Sequence, residues 1–360
     1  MLGGRYRRFV SVFACRTTPI KLSLSSQIHI RIPQISKKQV SGDGCGARAM
    51  PPPTPTTISA IIQTFRERPS QPARLIRRLI DAAAAPAASS EEPQLSLQIL
   101  VNDDSGEQAD SWKRQLRPWD VYVRSPNVHE VRAYNRLAKL ANGSLLVFLQ
   151  GDECMPPAPT RWLSDAAYIF WRLPRLAVLG GHAGFVDAEL VKGFGPYPRR
   201  APVPFVLHVP LRTGAPARRP IAFAHVVGVN IGPYFVRREA FLESGGFTEA
   251  YGGEGEPGGH FDVELCMRFW RNSRHSVGLY YGGVGNGVGG HKTRVGPQGR
   301  LRRRNQHAAL EDLRAQWRAH NATIDAMISS ENGQLEAAPP RLAIQLQKER
   351  REGQKTCGGK

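Results

Sequence analysis

A short run rich in β-branched residues, Ile58-Ser59-Ala60-Ile61-Ile62, follows the stiff segment Pro51-Pro52-Pro53-Thr54-Pro55 and predicts a buried strand at the start of a folded domain. Downstream, between Ala73 and Ala85, Leu75, Ile76, Leu79 and Ile80 fall at helical spacing. A second apolar run, Leu95 to Val101, stops at Asn102-Asp103-Asp104-Ser105-Gly106, and a helical stretch from Val131 to Ala141 leads to a third, Leu145 to Leu149, which stops at Gln150-Gly151-Asp152-Glu153. Strand and helix alternate. That order predicts an α/β fold with a mostly parallel central sheet covered by helices, and ligands on such sheets bind beyond the carboxyl ends of the strands. Both acidic clusters stand at such ends.

Further along, Gly180 to Pro220 is rich in glycine and proline and reads as an irregular excursion with short strands. A helix around Asp262 to Arg271, a strand-like Val277 to Tyr281, a glycine-rich segment from Gly282 to Gly290 and a charged helix from Arg302 to Ala319 follow, with a polar stretch from Glu331 onward. The expected organisation is a basic leader over 1–55, a domain over 56–325 in two halves (56–155 and 156–325), and a polar basic tail over 326–360.

Composition narrows the picture. The chain has 360 residues, 41% of them hydrophobic, enough for a sizeable core. A formal net charge of +19 suits phosphate-bearing partners or anionic surfaces without choosing among them. Before Asp43 there is no acidic residue, while arginine, lysine and serine recur, as in an organellar transit peptide or an unaddressed basic leader. A plastid or mitochondrion, a Golgi or secretory lumen and the cytoplasm all stay open. Asn142-Gly143-Ser144 and Asn321-Ala322-Thr323 formally fit glycosylation acceptors, which matter only in a secretory compartment. No apolar run approaches the roughly 20 residues that span a bilayer, so no transmembrane span is expected. The five cysteines have no CxxC spacing and indicate neither a zinc site nor a disulfide framework.

Three constellations carry candidate chemistry. Asp103-Asp104 can accept hydrogen bonds from a ribose or a base, or form an ordinary Asx turn. Gln150-Gly151-Asp152-Glu153 offers oxygen ligands for Mg²⁺ or Mn²⁺ against a diphosphate. Asp262 opens a helix, as a cap or as a general base for an acceptor hydroxyl. Gly285-Asn286-Gly287-Val288-Gly289-Gly290 matches GxGxxG, but Gly296, Pro297 and Gly299 oppose the helix that a dinucleotide fingerprint needs there. The run Arg300-Leu301-Arg302-Arg303-Arg304 suits phosphate, yet no nucleic-acid fold motif or interleaved aromatic platform accompanies it, so no specific nucleic-acid partner is expected.

Taken in order, Ile58 to Arg68, Asp103-Asp104, Asn127 to Arg136, Phe148 to Glu153, Gly245-Gly246-Phe247 and Asp262-Val263-Glu264-Leu265 resemble the landmarks of family 2 glycosyltransferases with the GT-A fold, over roughly Thr56 to Thr323. The resemblance implies a Rossmann-like nucleotide half plus an acceptor half, a nucleotide-sugar donor, a divalent metal (Mn²⁺ or Mg²⁺), a hydroxyl-bearing acceptor such as a glycan, lipid or protein, and inversion by one direct displacement. It implies that Asp103 and Asp104 hold the nucleoside, that Arg132 and Asn135 line the donor site, and that Gly246 and Glu264 belong to the substrate-binding region. By the same resemblance Asp152 and Glu153, with His291, would contact metal or diphosphate, and Asp262 would be the base. The chain departs from the family's Asp-x-Asp pattern at Gln150 and Gly151, and has Phe65-Arg66 where tyrosine and asparagine often follow the first strand. These departures keep open a catalytically silent binder of the same fold.

Overall fold

A computed structural model describes residues 55–67, 70–86, 92–153, 155, 161–181, 184–185, 205–210, 218–281, 296–339 and 341–342. The chain divides into units of 1–50 and 51–360, and every described residue belongs to the second. Residues 1–54 of the expected leader, His291, the glycine-rich segment 282–290, and residues 340 and 343–360 of the expected tail lie outside the described residues.

The first half alternates as its hydrophobic pattern predicts: β1 (Thr56–Thr64), α1 (Ser70–Ala83), β2 (Leu95–Asp103), α2 (Ala109–Lys113), β3 (Val121–Arg124), α3 (His129–Leu140) and β4 (Leu145–Gln150). The second half adds α4 (Trp162–Arg172), β5 (Leu176–Gly180), β6 (Gly184–Phe185), β7 (Phe205–Pro210), β8 (Arg218–His225), β9 (Gly228–Val229), β10 (Tyr234–Arg237), α5 (Arg238–Glu243), α6 (Phe261–Arg271), β11 (Ser276–Tyr280), α7 (Gly296–Asn332) and β12 (Glu336–Ala337). Among the described residues a ten-stranded sheet runs in the order β12-β7-β8-β11-β5-β10-β4-β1-β2-β3, with β6 and β9 paired separately. Strands β1 to β5, β7 and β11 point one way; β8, β10 and β12 point the other. This is the expected α/β architecture of mostly parallel strands with flanking helices. The excursion read over Gly180 to Pro220 contributes real sheet strands, β7 and part of β8, which pair as a hairpin.

Continuous apolar runs formed the early strands because those strands are buried on both faces. On β1, β2 and β4, Ile62, Val101 and Leu149 face a core shared with α1 and α4, whereas Ile61, Leu100 and Phe148 face one shared with α3, α6 and α7. The register Gln63↔Asn102 and Gln63↔Gln150 brings the three carboxyl ends level. Helix α7 is longer than expected: Leu313, Trp317, Ile324 and Ile328 are buried, so the expected domain end at 325 falls inside a packed helix. No helix among the described residues is long and apolar enough to cross a membrane.

Candidate active site

The loop after β2 is shaped by Asp103, whose buried carboxylate accepts hydrogen bonds from Ser105 N (3.1 Å) and Oγ (2.6 Å), Gly106 N (3.0 Å), Gln108 N (2.8 Å) and the Tyr122 hydroxyl (2.8 Å). Burial alone would raise its pKa, but these donors hold it below the ordinary carboxylate value. Asp104 turns the other way and caps α3, accepting from Val128 N at 2.6 Å and His129 N at 3.0 Å. Both aspartates stand where the strand end was expected to present them. Five donors already occupy Asp103, more than the roughly four lone-pair sites of a carboxylate, so its part in any ligand contact is to set the loop.

Asn135 and Arg132, on α3, face the segment after α5. Asn135 donates to Phe247 O (2.8 Å) and accepts from Phe247 N (2.9 Å); Arg132 donates to Gly253 O (2.7 Å) and pairs with Glu249 (3.2 Å). Gly246 has a φ of 76°, and a Cβ there would lie 2.6 Å from Asn135 Oδ1, so glycine is required by both backbone and space. Glu264 pairs with Arg268 at 2.6 Å, and Arg268 donates to Gly246 O at 2.9 Å. Asn135, Arg132, Gly246, Glu264 and Arg268 build one floor of bonds between α3 and α6.

The remaining acids converge. Asp262, the second residue of α6, accepts from Ile231 N (3.0 Å) and Val263 N (2.9 Å), and burial raises its pKa. The next residue after Ile231 is Gly232, and its Cα is where the carboxylate of Glu153 packs so closely that a side chain there would collide with it. The segment 231–232 therefore ties the turn after β4 to the start of α6. Between them lies the buried Tyr134 hydroxyl, donating to Leu149 O at 3.0 Å. Burial, then the carboxylates of Glu130, Glu153 and Asp152, push its pKa well above the ordinary value, with Arg302 opposing. Glu130, one turn before Tyr134 on α3, also acts on Asp262 and pairs with Arg302 of α7 at 2.5 Å.

Two of these residues were not singled out from the sequence. Glu130 had a faint signal, an acid on the inward stripe Glu130, Val131, Tyr134, Leu137 of an amphipathic helix. Arg302 was read only as part of a charged run. Of the non-glycine residues in the left-handed region among the described residues, Arg66, Asn127, His129 and His260 lie in or beside the loops at this edge, and Ser273 lies after the other end of α6.

At the turn itself, Gly151 is pressed against Thr64, whose Oγ1 would lie 2.7 Å from a Cβ. No larger residue fits the middle of that turn. Asn102 donates to Gln63 Oε1 at 2.8 Å, so Gln150 extends a row of neutral amides across β2, β1 and β4. Among the described residues no group of three histidine, cysteine, aspartate or glutamate side chains could by itself hold a metal. Asp152 and Glu153 follow each other at that turn, Asp152 partly exposed and Glu153 buried.

No family model matches the chain, and no curated protein matches it. Among solved structures, GalNAc-T7 with UDP, GalNAc and Mn²⁺ matches with a TM-score of 0.40 and 15% identity, over 62% of this chain and 42% of that one. TarS of S. aureus, residues 1–349, matches with a TM-score of 0.35 and 15% identity, over 61% of this chain and 57% of that one. The match spans less than two thirds of either protein's length.

Proposed function

We propose that the chain is a glycosyltransferase that moves a sugar from a nucleotide-sugar donor to a hydroxyl acceptor with inversion. The observation that carries this reading is the convergence on Ile231–Gly232 of two acidic segments distant in sequence, Asp152-Glu153 and Asp262, at the carboxyl edge of the sheet. That edge is where an α/β sheet binds ligands. Asp104 and Asp103 order the neighbouring loop for the nucleoside, and the Asn135–Gly246–Arg268 floor fixes the acceptor side.

In this reading Asp262 is the general base. Its two backbone donors hold both carboxylate oxygens in place, and burial makes it a stronger base than an exposed aspartate. It takes the proton of the acceptor hydroxyl as that oxygen bonds to the anomeric carbon, and the bond from that carbon to the donor phosphate breaks with its electron pair leaving on the phosphate. Asp152, with Glu153 behind it, would hold Mn²⁺ or Mg²⁺ against the diphosphate, and such an ion supplies Lewis-acid neutralisation of the departing charge.

Calorimetric titration with UDP and GDP, with and without Mn²⁺, tests the donor half. Metal-dependent, base-selective binding lost in Asp152→Ala is the expected result; equal affinity with and without metal removes the role of Asp152. With a competent donor, Asp262→Asn should lower turnover by at least about 100-fold while donor binding stays within a few-fold, and unchanged turnover removes the base. The neutral Gln150 in the amide row favours a second reading, a nucleotide-sugar-binding scaffold without turnover, which predicts donor binding and no transfer by the parent chain.

A further inference from the structure

Strand β3 ends the sheet beside β2 and has no second neighbour among the described residues. The bond from Ser125 N to Asp103 O, 3.2 Å, sets its phase. In a parallel ladder alternate residues bond to the neighbouring strand, so Val121 and Val123 turn their main chain to β2. The N–H and C=O of Tyr122 and Arg124 therefore point out of the sheet, and such a row is a template for another strand. Next to it Trp119 is 62% exposed. Cations line the same edge. Arg117 lies over the Trp119 ring at 5.0 Å, Lys113 lies over the Tyr122 ring at 5.2 Å, and Arg114 and Arg124 are exposed. The neighbouring acids do not balance them. Asp120 has no exposed side-chain surface and is held by Arg117 at 2.9 Å and by Ile99 N at 2.8 Å, while Glu107 pairs with Arg66 at 2.6 Å. Asp110 of α2 is then set against Lys113, Arg114 and Arg124.

We propose that the β3 edge is a docking site for an extended acidic peptide segment of a partner protein, which joins the sheet as a further strand. Main-chain bonds to Tyr122 and Arg124 hold the segment, its carboxylates meet Lys113, Arg114 and Arg124, and one of its apolar side chains covers Trp119. A second copy of this chain fits the edge poorly, because self-pairing sets Lys113, Arg114 and Arg124 against their own like charges. The buried Asp120 carboxylate is in no position to offset them. A four-residue strand offers little surface, so the association is weak and reversible. Docking at this edge is independent of the transferase reading.

The test titrates the full chain into a short fluorescein-labelled peptide of alternating glutamate and threonine and follows fluorescence polarisation in moderate salt. Binding is expected. N-methylation of alternate peptide residues keeps the charge but removes ladder donors, and should weaken binding at least about tenfold. A lysine–threonine peptide of the same length should not bind. In the protein, Arg124→Glu reverses one charge and should weaken binding on the order of tenfold. Arg124→Pro removes an outward donor that has no partner within the sheet, and should weaken binding while the urea midpoint stays near that of the parent. Equal binding of the methylated and unmethylated peptides reduces the edge to a bare charge surface and overturns strand addition. Equal binding of the lysine peptide overturns the charge match, and no binding by the parent chain overturns the proposal outright. A dimer in sedimentation velocity that Arg124→Pro dissolves assigns the edge to a second copy and overturns the acidic partner.

Discussion

Gly245 and Gly246 are neighbours with similar backbones, φ of 84° and 76°, and very different surroundings. A Cβ at Gly245 would meet nothing within 4 Å, whereas at Gly246 it would collide with the amide that holds Phe247. Gly245→Ala should therefore cost about 1 kcal/mol, the left-handed penalty alone. Gly246→Ala should cost roughly 2–4 kcal/mol, because it also breaks the Asn135 grip. Urea unfolding of both variants checks the difference, and equal losses would place the strain in the backbone only. His225 gives a second prediction at this scale. It is buried against Phe223 and Trp270, and burial lowers its pKa from 6.5 to about 4. The folded protein then holds it neutral where the unfolded chain protonates it, so stability is full above about pH 6.5 and falls as pH drops towards 4. The loss attributable to this group approaches about 3 kcal/mol at the acid end. The partly buried His260, also lowered to about 4 by burial of its ring, acts with the same sign. His225→Leu should flatten the change in urea midpoint between pH 7 and pH 5, and an unchanged slope would assign the acid sensitivity elsewhere.

Among the elements, α7 shows most clearly how an end can be fastened. Its last residue, Asn332, accepts from His225 N at 2.8 Å and donates to His225 O at 3.0 Å, so the side-chain amide continues the pairing of β8 as a strand would. Glu331 beside it pairs with Arg175 at 2.6 Å. Asn332→Ala leaves a buried N–H and C=O unpaired and should cost about 1–3 kcal/mol in urea unfolding. Asn321→Ala, on the exposed side of the same helix, should stay within about 0.5 kcal/mol. The stretch beyond 325 is polar and weakly periodic, which is why the expected domain ends there. A fork made by one side chain leaves no periodic trace, and neither does the two-residue strand β12, so this boundary was not legible. Strands β1, β2 and β4 and helices α1, α3 and α6 were legible, because each buries a long apolar stripe whose period of 2 or 3.6 is local to the segment.

Across the molecule, the chain itself determined the alternation of strand and helix, the parallel half of the sheet, and the placement of Asp104, Asp152 and Asp262 at strand and helix ends. Those features follow from local burial patterns and from the turn chemistry that stops an apolar run. Only the tertiary structure decided what each acid faces. It turned Asn135, Arg132 and Glu264 to the floor between α3 and α6, surrounded Asp103 with donors of its own loop, and set Glu153 and Asp262 on the one segment Ile231–Gly232. It also brought Glu130 and Arg302 together across 172 positions of chain. Such pairings depend on the packing of whole helices against the sheet, which no periodicity within a single segment encodes, and the charge balance of the site is therefore a property of the folded molecule.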